Sequence, residues 1–330
     1  MPQPIGASLH TSVPLTNISI AYQQNQNWIA DRVFPIVPVS KQFDQYYKYI
    51  KGEWFRTVGE ERAPATESVG TGWNATTDTY ACRVYAVHKD ISDQDRANVD
   101  SQFNLDRDAT TLVTNDLLLG REKRWFDTYW NSTTWATTAA GVTATSGLST
   151  AQFTQFDVDT GDPVTDMMNQ CLRMKVLTGY RPNTMVVTPQ VHIALVNHPA
   201  ILDRIKYTQR GFISNDLLAA AFEVDRYMVA DVIQNEAKET ADETAAANTS
   251  MSFVASEGVL LLYVAPSPGL LTVSAGYTFA WSGYLGNAFG TSVSKFREER
   301  IKSDRVECEI AYDMKVVATD LGLWLDNPLG

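Results

Sequence analysis

Residues 91–122 read ISDQDRANVDSQFNLDRDATTLVTNDLLLGRE, and the rest of the chain is organised around them. Ser92 stands three residues ahead of Asp95, the spacing of a capping box at a helix start. Beyond it Leu105, Ala109, Leu112, Leu119, Phe126 and Trp130 share one face of a helix, with Asp116 and Lys123 interrupting the stripe. The pattern predicts a helix of about 25 residues within 103–131, roughly 37 Å long, which exceeds most globular helices. A helix of that length with charges in its apolar stripe is expected to cross more than one environment.

Upstream, Val33, Val37, Val39, Phe43, Tyr47 and Tyr49 fall on odd positions, and Tyr80, Cys82, Val84, Ala86 and His88 repeat the period of two. Two strands are expected. Between them lies GEWFRTVGEERAPATESVGTGWNATTD, residues 52–78, with no clear period. The arrangement reads as an extended β-hairpin ending in a polar tongue, and a loop of that length is either functional or disordered. Trp54, Phe55 and Trp73 stand on it among Glu53, Arg56, Glu60, Glu61 and Arg62. Exposed aromatics among mixed charges are what a protein interface uses, the plainer reading being a solvated loop. Residues 1 to about 32 are polar and carry Pro2, Pro4 and Pro14, so an extended arm is expected, lying on the body or on a neighbouring subunit.

Downstream, 131–162 is rich in Thr, Ser, Ala and Gly and reads as a surface excursion. Asp162-Pro163 opens a helix through about Leu177 that Gly179 closes. A short buried strand is expected at Met185–Val187, helices after Thr188-Pro189 and in 199–207 and 214–222, and core strands at Tyr227–Ile233 and Val259–Val264. The acidic, alanine-rich stretch 235–250 separates those two strands as a loop. Val306, Cys308, Ile310, Tyr312, Met314 and Val316 alternate without a fault, which is a half-buried strand. Just before it, 295–305 mixes signs almost evenly and reads as an ion-pairing surface. It is either a solvated face or a subunit contact through Arg297, Glu298, Glu299 and Arg300.

Composition narrows the function. The 330 residues are 44% hydrophobic and 20% charged, and 27 Lys+Arg against 38 Asp+Glu leave a net charge of −11. That balance disfavours a chain whose main task is gripping nucleic acid. No apolar run approaches the ~18 residues of a membrane span. Cys82, Cys171 and Cys308 make neither a disulfide framework nor a CxxC metal site. Gly70-Thr71-Gly72-Trp73-Asn74-Ala75 fits the dinucleotide pattern GxGxxA, with Asp90 twenty residues on. It neither leaves a strand nor opens a helix, as pyrophosphate binding requires. Asp90, Asp93, Asp95 and Asp100 lack the glycine and glutamate of a calcium loop and suit a helix N-terminus. His192 and His198, six apart, do not have zinc spacing, and neither a GxSxG elbow nor a phosphate loop is present. No catalytic residue, cofactor or metal is expected.

The order of arm, hairpin, long helix, mixed block and long strand resembles the major capsid proteins of tailed bacteriophages, the HK97-type fold. The resembling phrases are 91–122, RPNTMVVTPQVHIALVNHPAILDRIKY at 181–207, YMVADVIQNEA at 227–237 and VECEIAYDMKVVATDLGLWLDNP at 306–328. The resemblance implies an α+β chain with an N-terminal arm (1–35), an E-loop (36–88) and a P-domain with the spine helix (89–179). An A-domain (180–293) and a returning P-domain strand with the C-terminus (294–330) complete it. It implies a structural protein that forms hexamers and pentamers of a virion shell around double-stranded DNA, assembled in the host cytoplasm and touching DNA non-specifically and no membrane. Because arm-like sequence begins at Met1, a separate scaffolding protein without proteolytic trimming is implied, with portal and decoration proteins as further partners. Lys48 and Lys51 lie where some relatives crosslink, but no Asn partner is identifiable, so that chemistry is not carried over. The rival readings are a monomeric ligand-binding module using the 52–78 tongue and a Rossmann-like enzyme using Gly70–Ala75.

Overall fold

The computed structural model describes residues 27–99, 104–205, 213–237, 250–269, 272–285 and 291–330. The expected arm over 1–26, Asp100 and most of the acidic loop lie outside the described residues. In chain order the elements are α1 (Ala30–Val33), β1 (Ile36–Val39), β2 (Phe43–Tyr49), α2 (Lys51–Trp54), β3 (Ala75–Ala81), β4 (Arg83–Ser92), α3 (Asp93–Asn98) and α4 (Leu105–Tyr129). Then come β5 (Thr137–Val142), β6 (Gln152–Thr154), α5 (Pro163–Thr178), β7 (Thr184–Val187), α6 (Pro189–Asn197), α7 (Pro199–Ile205), α8 (Asn215–Ala221), β8 (Arg226–Val229) and β9 (Ile233–Asn235). The last are β10 (Met251–Phe253), β11 (Val259–Leu262), β12 (Gly276–Trp281), α9 (Ser282–Leu285), β13 (Thr291–Glu298), β14 (Ser303–Val316) and β15 (Gly322–Asp326).

The alternating stretch 303–316 organises one half. β14 pairs antiparallel with β4 along one edge, and with β13 and then β12 along the other, while β1 adds in parallel to β12. Val306, Cys308, Ile310, Tyr312 and Met314 are buried, as their alternation requires. α4 lies across β14 and β4. Tyr129 donates to the Met314 carbonyl, and the Arg124 guanidinium stands 3.8 Å above the Tyr85 ring. The other half is a six-stranded sheet in the order β6-β5-β15-β11-β7-β8. Its inner strands β11 and β7 are buried at every position, and Val259–Leu262 and Met185–Val187 accordingly read as short apolar runs.

The helix 105–129 has the expected length, and its buried face shares Ala109, Phe126 and Trp130 with the expected one but is rotated from it. Leu112 is exposed and Leu119 half-buried, whereas Ala109, Val113, Leu117, Arg121, Glu122, Trp125, Phe126 and Tyr129 are buried. Two charged residues were thus hidden in the true stripe, because the sheet and the residues before β1 enclose the helix together. The 131–162 stretch is also corrected. It supplies β5 and β6 and buries Trp135, Phe153 and Phe156, since small residues let the strands pack closely on β15. Tyr227–Ile233 is two strands, β8 and β9, rather than one. The capping box, the Asp162 cap and the Gly179 stop are as expected, with Gly179 at φ 79°.

All three cysteines are buried free thiols. Non-reducing gels of assembled material should therefore show monomer alone; a ladder of covalent oligomers would contradict the buried positions.

Candidate functional site

The expected hairpin exists with shifted limits. β2 and β3 pair from Phe43–Ala81 to Tyr49–Ala75, so the hairpin occupies 43–81. Residues 36–39 and 83–88, placed in the E-loop by the sequence reading, are strands of the β14 sheet. The segment Tyr80–His88 is therefore split between two partners, with Cys82 at the break. Its thiol donates to the Phe279 carbonyl at 3.4 Å, and burial pushes it up to about 12.

Each face of the hairpin has its own environment. Tyr46 and Tyr80 face inward on Phe279, with ring centroids 5.4 Å and 4.6 Å away, and Tyr46 donates to Asp78 at 3.0 Å. Phe43 and Tyr47 point the other way and are exposed. The period of two holds, but Phe43 and Tyr47 of its apolar set face solvent on β2 while Tyr80 on β3 is buried. At the tip, Trp54, Phe55 and Trp73 are 56%, 62% and 61% exposed. Tyr49 gathers two of them, at 6.0 Å from Trp54 and 5.2 Å from Trp73. Glu53 accepts from the backbone and side chain of Asn74, which closes the neck of the tip and holds the carboxyl below its ordinary range. Arg56, Glu60, Glu61 and Arg62 are exposed beyond it.

The tip also touches its own body, which the sequence did not reveal. Lys51 pairs with Asp320, and the Phe55 ring lies over Gly179, where a Cβ would stand 2.6 Å from it. Leu172 and Val176 precede Gly179 on the same face of α5 and are exposed, so Phe55 continues an apolar stripe. The spacing 172, 176, 179 could have signalled that stripe; the long-range contact could not.

The mixed-sign segment 295–305 forms the turn of β13–β14. Arg297 binds Asp93 through two contacts of 2.5 and 2.6 Å and reaches Asp304 at 3.4 Å. Arg305 binds Asp90 at 2.7 and 3.0 Å, and Arg96 and Lys295 both bind Asp106 at 2.8 Å. The acids 90 and 93 are thus paired to strand cations, in addition to standing near a helix start. Arg297 is engaged inside the chain, while Glu299 and Arg300 at the turn are exposed and Glu298 is half-buried. Hydrogen bonds from Arg96 and Lys295 hold the Asp106 carboxyl at about 2. A depressed carboxylate stabilises above its ordinary pKa and loses that contribution as pH falls through the lowered value. Asp106→Asn should therefore lower the melting temperature at pH 7 by a small amount, screened by solvent. The gap from the parent chain should close between about pH 4 and pH 2, and a gap that persists at pH 2 would refute this origin.

The rival sites fare differently. Gly70–Ala75 leads into β3 with neither a preceding strand nor a following helix, so it cannot hold a pyrophosphate. His192 bonds Tyr227 at 3.0 Å and His198 the Val158 carbonyl at 3.2 Å, two separate structural roles. An open depression of about 460 Å³ is lined by Arg32, Asp216, Asp225, Arg226 and neighbours, none of them on the tongue. Among the described residues no helix is long and apolar enough to cross a membrane.

No family model matches the sequence. The chain is 28% identical over 242 residues to the major capsid protein of Burkholderia phage BcepMu, covering 73% of this chain and 75% of that one. It is 25% identical over 319 residues to the major capsid protein of Pseudomonas phage JBD67, covering 95% of each. Its fold matches the capsid of cyanophage P-SCSP1u with a TM-score of 0.60 at 10% identity, over 96% of this chain and 92% of that chain. The chain has the HK97-type capsid fold, and the relatives it resembles are phage major capsid proteins. That likeness supports a structural protein of a self-assembled virion shell over an enzyme.

Proposed function

We propose that copies of this chain associate heterologously into hexamers and pentamers that tile an icosahedral shell around packaged double-stranded DNA. Such a contact joins one surface to a different surface of the next copy, and rotation closes the ring. The observation that carries this reading is the tip, where three aromatics stand more than half exposed at the end of a paired hairpin. Glu53, Trp54, Phe55, Arg56, Glu60, Glu61, Arg62 and Trp73 are proposed to meet one neighbour, and Arg297, Glu298, Glu299 and Arg300 another. The proposed division is an arm to residue 35, an E-loop within 36–88, a P-domain at 89–179 and 294–330, and an A-domain at 180–293. Scaffolding, portal and decoration proteins and assembly in the host cytoplasm belong to the same proposal. The charge of −11 supports contact with DNA that is weak and non-specific.

Size-exclusion chromatography with negative-stain microscopy tests it. Rings, tubes or shells are expected, and a chain that remained a 36.7 kDa monomer even when co-expressed with its scaffold would overturn it.

A further inference from the structure

The hairpin of β2 and β3 pairs with no other strand among the described residues, so it is a ribbon with two separate faces. Residues directly opposite one another in an antiparallel pair share a face. One face carries Asp44 opposite Tyr80, Tyr46 opposite Asp78 and Lys48 opposite Thr76. It lies towards the body, where Tyr46 and Tyr80 rest on Phe279 and Lys48 pairs with Asp78 at 3.3 Å. On the other face Phe43, Tyr47 and Tyr49 stand opposite Ala81, Thr77 and Ala75, with Gln45 and Thr79 as the remaining pair. Phe43 is 61% exposed and Tyr47 73%.

That distribution is inverted. A ribbon with one face on a body and the other in water places apolar residues inward and charges outward. Here Asp44, Lys48 and Asp78, the charged residues of the paired strands, are all on the body side, and the solvent side has none. A single exposed aromatic is ordinary, but a continuous uncharged row of them marks a contact surface. The row also runs on into the tip, because Tyr49 meets both Trp54 and Trp73. We propose, on the reading of the chain as a shell subunit, that this uncharged face docks on a second copy of the chain and extends the contact from the tip along the whole ribbon.

Charge selects the occupant. Each copy carries a net charge of −11, so two copies approach most readily through a face without charge, whereas like charges brought together cost affinity. DNA would need cations that this face lacks. The small residue opposite each ring leaves the ring's flank open to a partner side chain. Size selects the setting. Seven residues in each of two strands give a face of roughly 24 Å by 10 Å, well below the ~800 Å² per partner of a stable pair. The face therefore acts as one of several contacts repeated around a ring, and in the free subunit it stays in water.

The test is hydroxyl-radical footprinting of Phe43 and Tyr47, read by mass spectrometry on the full unassembled chain and on shells before and after any scaffold is removed. The reactivity of both should fall at least tenfold on assembly and stay low once scaffold has left. Tyr47→Lys should keep the parent's circular dichroism and lower the yield of shells at least tenfold, whereas Tyr47→Phe should assemble as the parent does. Reactivity unchanged by assembly, or normal shells from Tyr47→Lys, would overturn the docking face. Protection already present in the unassembled chain would assign the cover to the chain itself, and protection that leaves with the scaffold would assign it to the scaffold; either result overturns the proposal. Footprinting of the parent decides the matter if the Lys variant does not fold. A parent chain that forms no shells would overturn the shell reading and the docking face together, whereas shells whose ribbon stays reactive would overturn the docking face alone.

Discussion

A chain in which Asn-Gly replaces residues 50–74 is expected to fold normally and to form no shells. The cut follows the register: Tyr49 pairs with Ala75, so a two-residue turn rejoins β2 to β3 without a slip. A cut reaching to Asp78 would remove half of β3 together with the acceptor of Tyr46. The subunit would lose the exposed Lys51–Asp320 pair and the Phe55 contact at Gly179, both minor for stability. It would also be relieved of ordering a long loop. The shell would lose Trp54, Phe55 and Trp73, and burying each against a neighbour contributes about 1.5–3 kcal/mol. Repeated around a ring, that sum decides whether a capsomer holds. The measurement is circular dichroism and electron microscopy on the variant expressed with its scaffold. Normal shells from the folded variant would sink the prediction, and an unfolded variant would show that the tip belongs to the subunit core.

The second large effect concerns the subunit alone. Trp125→Ala is expected to destabilise it by about 3–5 kcal/mol, the range for truncating a fully enclosed large aromatic. Trp125 is 0% exposed. Its ring meets Phe34 edge-on at 5.7 Å, Phe126 at 4.9 Å, and Tyr129 and Trp130 at 6.2 and 6.3 Å. Phe34 in turn lies on Gly276, where a Cβ would stand 2.5 Å from the ring. One side chain thus joins α4, the segment before β1 and the β14 sheet. Trp125→Phe should cost less, because it keeps the aromatic packing and removes an indole N–H that lacks an acceptor. Urea unfolding of the unassembled subunit gives the comparison, and a loss for the Ala variant below about 1 kcal/mol would show that the site closes over the cavity.

What could be read in advance was local. The Ser92 box, the Asp162 cap with Pro163, the Gly179 stop and the alternation from Val306 to Met314 depend on residues within a turn or a strand of one another. Sequence spacing encodes such relations directly. The exposed aromatics of the tip were legible for a related reason: no periodic partner for them exists within reach, so nothing nearby could bury them.

What the fold alone decided were relations between residues far apart in the chain. Asp90 and Arg305 are 215 positions apart, and only the β4–β14 register brings them face to face. The spacing of the long helix does not single out Glu122, which is covered by the segment 29–34 from 93 residues away. Phe43 and Tyr47 alternated as a buried set would, yet which side of a two-stranded ribbon faces the body depends on where Phe279 lies. The sequence by itself determined the hairpin, the long helix, the long final strand and their order, because periodicity, caps and motif context are short-range. The tertiary structure decided which face of each element is covered and which charges are paired, because burial is a property of the neighbour, and the neighbour is chosen by the whole chain.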